Sequence, residues 1–245
     1  MFETTVREGV CRVSNPGARW LATGWNGGYG SADAAINVTV PEGFDRTDLA
    51  SYVTERRARA DFEGTGPALL TGVAQRHARG ARAGSVTAVA TAGLSNPAAL
   101  PLAATDGEAA TPVEVGQDPG SPVTDDSPPP PGTVNLLVGT ERSLADGTLA
   151  TLLATAVEAK TGTLRAAVGF TGTTSDAVAV GCDPSGDAAP FAGSGTALGA
   201  ATRACVRDAV LASLDSRYSD AAVPTAVDEA DHGVVTRRET TEFRP

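Results

Sequence analysis

Runs and alternations of apolar residues divide the chain into short strands and a few helices. Trp20 to Trp25 (WLATGW) and Ala34 to Val40 (AAINVTV) read as strands around the turn-rich segment Asn26 to Ser31. Thr47 to Ala60 has helical spacing, with Leu49, Tyr52 and Val53 on one face, and Pro67 to Arg79 is a second helix candidate. Ser85 to Ala92 (SVTAVATA) is strongly β-type. Thr133 to Gly139 (TVNLLVG) is a continuous apolar strand, expected to be buried on both faces. A helix follows from Leu149 to about Lys160, capped by Ser143 or Asp146, with Leu149, Leu152, Leu153, Ala156 and Val157 as its apolar stripe. Asp176 to Gly181 is another buried strand, and Thr196 or Ser194 opens a long helix over Leu198 to Leu214. Strands alternating with helices predict an α/β (or α+β) layered single domain, a mixed β-sheet packed with helices.

Two stretches fall outside that pattern. Residues 103–132 are acidic and rich in Pro and Gly, ending in four prolines, so they are expected as an exposed loop insertion. The strands on either side read as neighbours in one sheet, so the insertion interrupts a domain, 1–217, and does not join two. Residues 218–245 are charged and without periodicity, expected as a mobile or surface-laid C-terminal tail.

Composition narrows the setting. The 245 residues are 41% hydrophobic but only 4% aromatic, enough for one core of small and β-branched side chains. The net charge of -10 leaves no basic patch for a run of phosphates, so no nucleic-acid partner is expected. Of 19 basic residues one is lysine, Lys160, so 18 are arginine. An acidic, lysine-poor surface is the pattern of a halophilic, haloarchaeal-type protein, because molar salt screens the repulsion among carboxylates. No leader-like N-terminus and no run of 18 apolar residues is visible, so neither export nor a membrane span is expected. Three widely separated cysteines, Cys11, Cys182 and Cys205, fit buried thiols in a reducing cytoplasm.

The candidate chemistry is defined first by what is missing. His77 and His232 are the two histidines, and neither adjoins a glycine-framed nucleophile. No metal-ligand spacing such as HExxH and no phosphate-cradling glycine loop follows a strand. What remains is a series of small polar clusters at strand ends, where layered α/β folds usually carry their chemistry. They are Trp25-Asn26-Gly27-Gly28-Tyr29 with Asn37 downstream, Thr91 to Asn96, Gly132 to Asn135, Glu158 to Thr161, Thr171 to Asp176, and Gly193 to Thr196 ahead of a helix. Asn135 sits inside an apolar strand, where a buried amide serves as structural glue or as a ligand contact. Lys160 is set apart because arginine replaces lysine everywhere else. A position that keeps lysine selects a compact amine over a guanidinium. Glu158 shares a side with it only if the helix ends there.

In this order and spacing the clusters resemble the adenosylcobinamide amidohydrolase family. The resemblance runs from about Trp20 to Leu214 and rests on NGGY with AINVTV behind it, TAGLSN at 91–96, GTVNLLV at 132–138, TAVEAKT, TGTTSDAVAV at 171–180 and the glycine-threonine helix start at 193–199. It departs in two places. The Pro-rich stretch is longer, and residues 193–196 hold no histidine where many bacterial members carry one. The resemblance implies a cobinamide-salvage enzyme of cobalamin biosynthesis. Such an enzyme hydrolyses the amide between the corrin and 1-amino-2-propanol to give adenosylcobyric acid. It implies a small-molecule corrinoid as partner, no protein-bound metal or other cofactor (the cobalt belongs to the substrate), and a homodimer as the assembly to test. Amide hydrolysis without histidine leaves two schemes. In one, Glu158 or Asp176 activates water while Lys160 stabilises the oxyanion or protonates the leaving amine. In the other, Ser95 or Thr173 is an acyl-forming nucleophile with Lys160 as base. Amides near Gly93 or Gly172 are candidates for the oxyanion hole. Asn26, Gly27, Gly28, Asn37, Asn96, Asn135, Thr174 and Thr196 are the candidate substrate contacts. A non-enzymatic corrinoid-binding protein and an acyl transferase with a Ser/Thr nucleophile are the competing readings.

Overall fold

A computed structural model describes residues 1–101, 132–230, 232–237 and 240–245. The insertion expected at 103–132 lies, but for Gly132, outside the described residues. In chain order the elements are β1 (Glu3–Arg7), β2 (Val10–Ser14), β3 (Arg19–Ala22), β4 (Gly28–Ser31), β5 (Ala34–Thr39), α1 (Leu49–Arg59), β6 (Ala68–Thr71), β7 (Arg79–Ala83), β8 (Val86–Ala92) and β9 (Pro97–Ala99). They continue with β10 (Val134–Thr140), α2 (Asp146–Val168), β11 (Gly172–Thr173), β12 (Ala177–Cys182), α3 (Ala197–Arg217) and β13 (Val234–Val235).

Two sheets stack face to face. One has the order β1-β2-β5-β6 and the other β4-β3-β12-β10-β8-β7. Each contains one parallel neighbour pair joined by a helical crossover, β5-α1-β6 and β10-α2-β12. The alternation of β10 shows how the layers form. Val134, Leu136 and Val138 join Leu149, Leu152, Ala156, Val206 and Val210 in a core beneath α2 and α3. Leu137, on the opposite face, packs with Phe2, Val13, Trp20, Leu69 and Ala179 between the sheets. A third core, with Ile36, Val38, Tyr52 and Val53, lies under α1. The result is four layers: α1, a sheet, a sheet, and the α2-α3 pair. Such an aromatic-poor interior needs its few rings placed closely. Gly139 and Gly181 face one another across β10 and β12, and the Phe2 and Trp20 rings rest on them.

Three expectations are revised, and one pair of strands appears where the sequence predicts no element. Pro67 to Arg79 is not a helix: Ala68–Thr71 is a short strand beside β5, a single turn follows at Gln75–His77, and β7 begins at Arg79. A run of three apolar residues and a threonine between Pro67 and Gly72 is too short for helical periodicity to separate it from a buried strand. The turn-rich Asn26 to Ser31 contains edge strand β4. The charged N-terminus forms the β1-β2 hairpin. The helix expected to stop at Lys160 runs to Val168, closing on left-handed Gly169. Gly162, which reads as a stop in the sequence, lies where a Cβ meets nothing within 4 Å. Past residue 217, β13 adds in parallel to β9, so part of the C-terminal segment is laid on the surface as a strand. Among the described residues no helix is long and apolar enough to cross a membrane.

Candidate active site

The longer α2 changes the environment of Lys160. Ala156, Lys160, Leu164 and Val168 follow one another at four-residue spacing, and all four are buried. A lysine on a buried stripe needs a counter-charge, and Asp176 at the start of β12 supplies it: Lys160 Nζ donates to Asp176 Oδ2. The two side chains are 7% and 11% exposed. Glu158, two residues earlier, points away and pairs with Arg203 at the surface. The structure therefore separates Glu158 from Lys160, because the helix continues.

Asp176 has further donors. Its Oδ1 accepts from the Val134 N–H at 2.9 Å and from the Thr173 hydroxyl at 2.5 Å, and Oδ2 accepts from the Thr173 N–H at 3.1 Å. The turn between β11 and β12 thus wraps around the carboxylate. Gly172 is part of that fit, since a Cβ there would stand 2.4 Å from Asp176 Oδ2 and 3.0 Å from Lys160 Nζ. Asn96 holds the same turn from the other side: its Nδ2 donates to Thr174 Oγ1 at 2.6 Å and its carbonyl accepts from the Thr174 N–H.

Behind the pair, buried amides tie the two sheets. Asn135 Nδ2 donates to Asn37 Oδ1 (2.9 Å) and to the Leu70 carbonyl (2.8 Å), and its Oδ1 accepts from the Ala177 N–H (3.1 Å). Asn37 Nδ2 in turn donates to Thr91 Oγ1. Thr133 Oγ1 donates to Thr71 Oγ1, which also accepts from the Val73 N–H. Asn37 and Asn135 are 3% and 1% exposed and commit their amides to one another and to backbone. They act as the clamp between sheets, with both Asn135 donors used and Asn37 bonded on to the Thr91 hydroxyl.

In front of the pair is a cavity of about 530 Å³, within the range of small-molecule sites. The C-terminal ends of β3 and β6 and the N-terminal ends of β10 and β12 converge on it. Asp176 opens onto it with Thr23, Thr71, Thr133 and Ser175, and Trp25 and Phe44 form apolar parts of its wall. Thr71 and Thr133 were not singled out as single residues from the sequence. The signal for Thr133 was its place in GTVN, and for Thr71 there was none, because its strand read as helix.

The other candidates are placed elsewhere. Asn26, Gly27 and Gly28 line an adjoining cavity. Ser95 lies outside the lining of the Asp176 cavity. Thr196 is the N-cap of α3, accepting from the Gly199 N–H and donating to the Gly193 carbonyl, which uses its hydroxyl in both directions. The Gly93 N–H donates to the Thr133 carbonyl and is not open to an oxyanion. Burial pushes the Cys11 thiol up to about 12, which removes it as a nucleophile at neutral pH. His77 hydrogen-bonds Ser216, outside the cavity, and is held below its ordinary pKa by burial and then by Arg76 and Arg217.

Comparison with known proteins agrees with the resemblance drawn from the motifs. The family profile described as adenosylcobinamide amidohydrolase matches residues 2–222. A Halobacterium salinarum protein named adenosylcobinamide amidohydrolase is 53% identical over 248 residues, covering 100% of both chains. No solved structure matches.

Proposed function

The chain belongs to the adenosylcobinamide amidohydrolase family, and we propose that it performs that hydrolysis with Asp176 and Lys160 as its reacting centre. It cleaves the amide that joins 1-amino-2-propanol to the corrin side chain, so that a scavenged corrinoid re-enters cobalamin biosynthesis as adenosylcobyric acid. The observation that carries the residue assignment is the buried Lys160–Asp176 pair, whose carboxylate opens onto the strand-end cavity.

In the reaction, a water in the cavity gives a proton to Asp176 as its oxygen attacks the amide carbon. The carbonyl oxygen becomes an oxyanion. The proton then passes to the amide nitrogen, the C–N bond breaks, and acid and amine leave. Lys160 keeps the carboxylate aimed and offsets the negative charge that accumulates beside it. The Val134 and Thr173 N–H groups and Lys160 hold three of the four acceptor positions of the carboxylate, and the Thr173 hydroxyl gives up the fourth, on Oδ1, to the attacking water.

A second scheme rests on one distance. Thr173 Oγ1 stands 2.5 Å from Asp176 Oδ1, within reach for a base-activated nucleophile. The favoured role for this hydroxyl is orientation, because Asp176 and Ser175 line the cavity and Thr173 does not. With water as nucleophile, Thr173→Val keeps turnover within about tenfold. A loss beyond about 10³-fold, together with an acyl-enzyme adduct in the mass spectrum of the parent protein, assigns the nucleophile to Thr173.

The direct test is incubation with adenosylcobinamide in molar KCl followed by chromatography. Adenosylcobyric acid and aminopropanol are the expected products. Unchanged corrinoid that stays bound returns the binding-protein reading, and acceptor-dependent turnover returns the transferase. We expect the same yield after dialysis against EDTA. The cobalt arrives with the substrate, and among the described residues no three His, Cys, Asp or Glu side chains gather as ligands. A reducing, cytoplasmic setting belongs to the same proposal and is supported by Cys11, Cys182 and Cys205, all free and buried.

A further inference from the structure

The chain has two tryptophans, used in opposite ways. Trp20 is 0% exposed in the core between the sheets, whereas Trp25 is 41% exposed. Trp25 stands on the wall shared by two cavities. One is the cavity of Asp176. The other, of about 640 Å³, is lined by the turn after Trp25 and by Thr54, Arg57, Phe62 and Thr65.

The turn that presents Trp25 is tightly specified. A Cβ on Gly24 would meet Leu69 Cδ2 at 2.7 Å, and one on Gly27 would meet the Ala22 carbonyl oxygen at 2.3 Å. Asn26 between them holds φ 52°, in the left-handed region that few residues other than glycine enter. The second cavity adds a polar observation. Arg57 is 6% exposed. Its Nη2 donates to the Gly66 carbonyl, and its buried Nη1 has no partner among the described residues. No carboxylate pairs with it among the described ion pairs.

We propose that the second cavity takes the 5′-deoxyadenosyl group of the corrinoid, with its purine stacked on Trp25. The inference rests on the amidohydrolase reading. The substrate then has two parts that need separate places: the scissile arm on the corrin rim, and the nucleoside that projects from cobalt perpendicular to the ring. One indole between two cavities meets that requirement. The purine supplies a π-face for Trp25, and the Arg57 guanidinium in the same cavity wall favours its electron-rich ring nitrogens. Trp25 is thus a specificity-determining residue for the adenosylated corrinoid.

The test is equilibrium binding of adenosylcobinamide and of cyanocobinamide, which lacks the nucleoside, to the wild-type protein and to Trp25→Ala and Trp25→Phe. Thermal melting confirms that each variant is folded. Wild type is expected to bind the adenosyl form about tenfold tighter, the scale of one base–aromatic stack. Trp25→Ala brings the ratio to within about twofold of unity, and Trp25→Phe restores most of it. A wild type without preference, a ratio unchanged by Trp25→Ala, or equal weakening of both corrinoids overturns the proposal; the last result places the indole against the corrin ring. Product analysis on the same samples separates the two readings. Binding with the predicted ratios but no hydrolysis overturns the amidohydrolase reading and upholds the Trp25 site, whereas hydrolysis without nucleoside preference overturns the Trp25 site alone.

Discussion

Asp176→Asn lowers the turnover of adenosylcobinamide by about 10³-fold or more, a loss on the scale of removing a positioned general base, and the protein folds but is less stable, because Lys160 loses its counter-charge. The amide keeps an oxygen for the Val134 N–H and the Thr173 hydroxyl but takes no proton from water. Lys160→Ala abolishes turnover as well and also reduces stability. Removing one member of a buried ion pair leaves the other charged and uncompensated, which costs about 3–5 kcal/mol. For a chain of this length that is a drop in Tm of about 10 °C. The pair is shielded from solvent, so the loss persists in molar KCl, where surface pairs such as Glu158–Arg203 contribute nothing measurable. Combining Lys160→Met with Asp176→Asn regains much of the stability, because no unpaired charge remains buried, and stays inactive. Steady-state kinetics and thermal melting of the three variants check this. Near-normal turnover in folded Lys160→Ala removes Lys160 from the mechanism.

The second large effect is at Asn135, away from the reacting atoms. Asn135→Leu is close in volume but strands the Ala177 N–H, the Leu70 carbonyl and Asn37 Oδ1 in the interior. Each stranded group costs about 1–3 kcal/mol, so a total loss of about 3–9 kcal/mol is expected from denaturant unfolding. Turnover falls with it, since the neighbouring Val134 N–H and the Ala177 strand start both position Asp176. Asn37→Leu breaks the bond the two amides share, so the double variant is destabilised by less than the sum of the singles. Additive losses, or a loss under about 1 kcal/mol for Asn135→Leu, show that the clamp does not hold the sheets together.

The strands at 86–92, 134–140 and 177–182 and the helix at 197–217 were legible because each has one dominant pattern, a continuous β-branched run or a long 3.6-residue stripe. Ala68–Thr71 was not, because four residues carry no periodicity of their own and pairing with β5 decided their state. The β1-β2 hairpin was not either. Its first strand is exposed and reads as charged chain, and pairing with β2 alone makes it a strand. Among candidate residues, Lys160 and Asp176 stood out through composition and motif. Glu158 stood out too, and only the length of α2 separates it from Lys160. Thr71 left no trace in the sequence.

By itself the sequence determined the residue types available for chemistry: one lysine, no usable histidine, acidic and hydroxyl groups at strand ends, and a family pattern in which their order matters. Those are properties of composition and spacing, and folding does not change them. The tertiary structure decided partnership. Lys160 is buried because α2 continues for two more turns past it, and it meets Asp176 because the β11-β12 turn closes over that stripe with Gly172 leaving room. A salt bridge across 16 residues between helix and strand depends on crossover geometry and layer packing, neither of which a local pattern encodes.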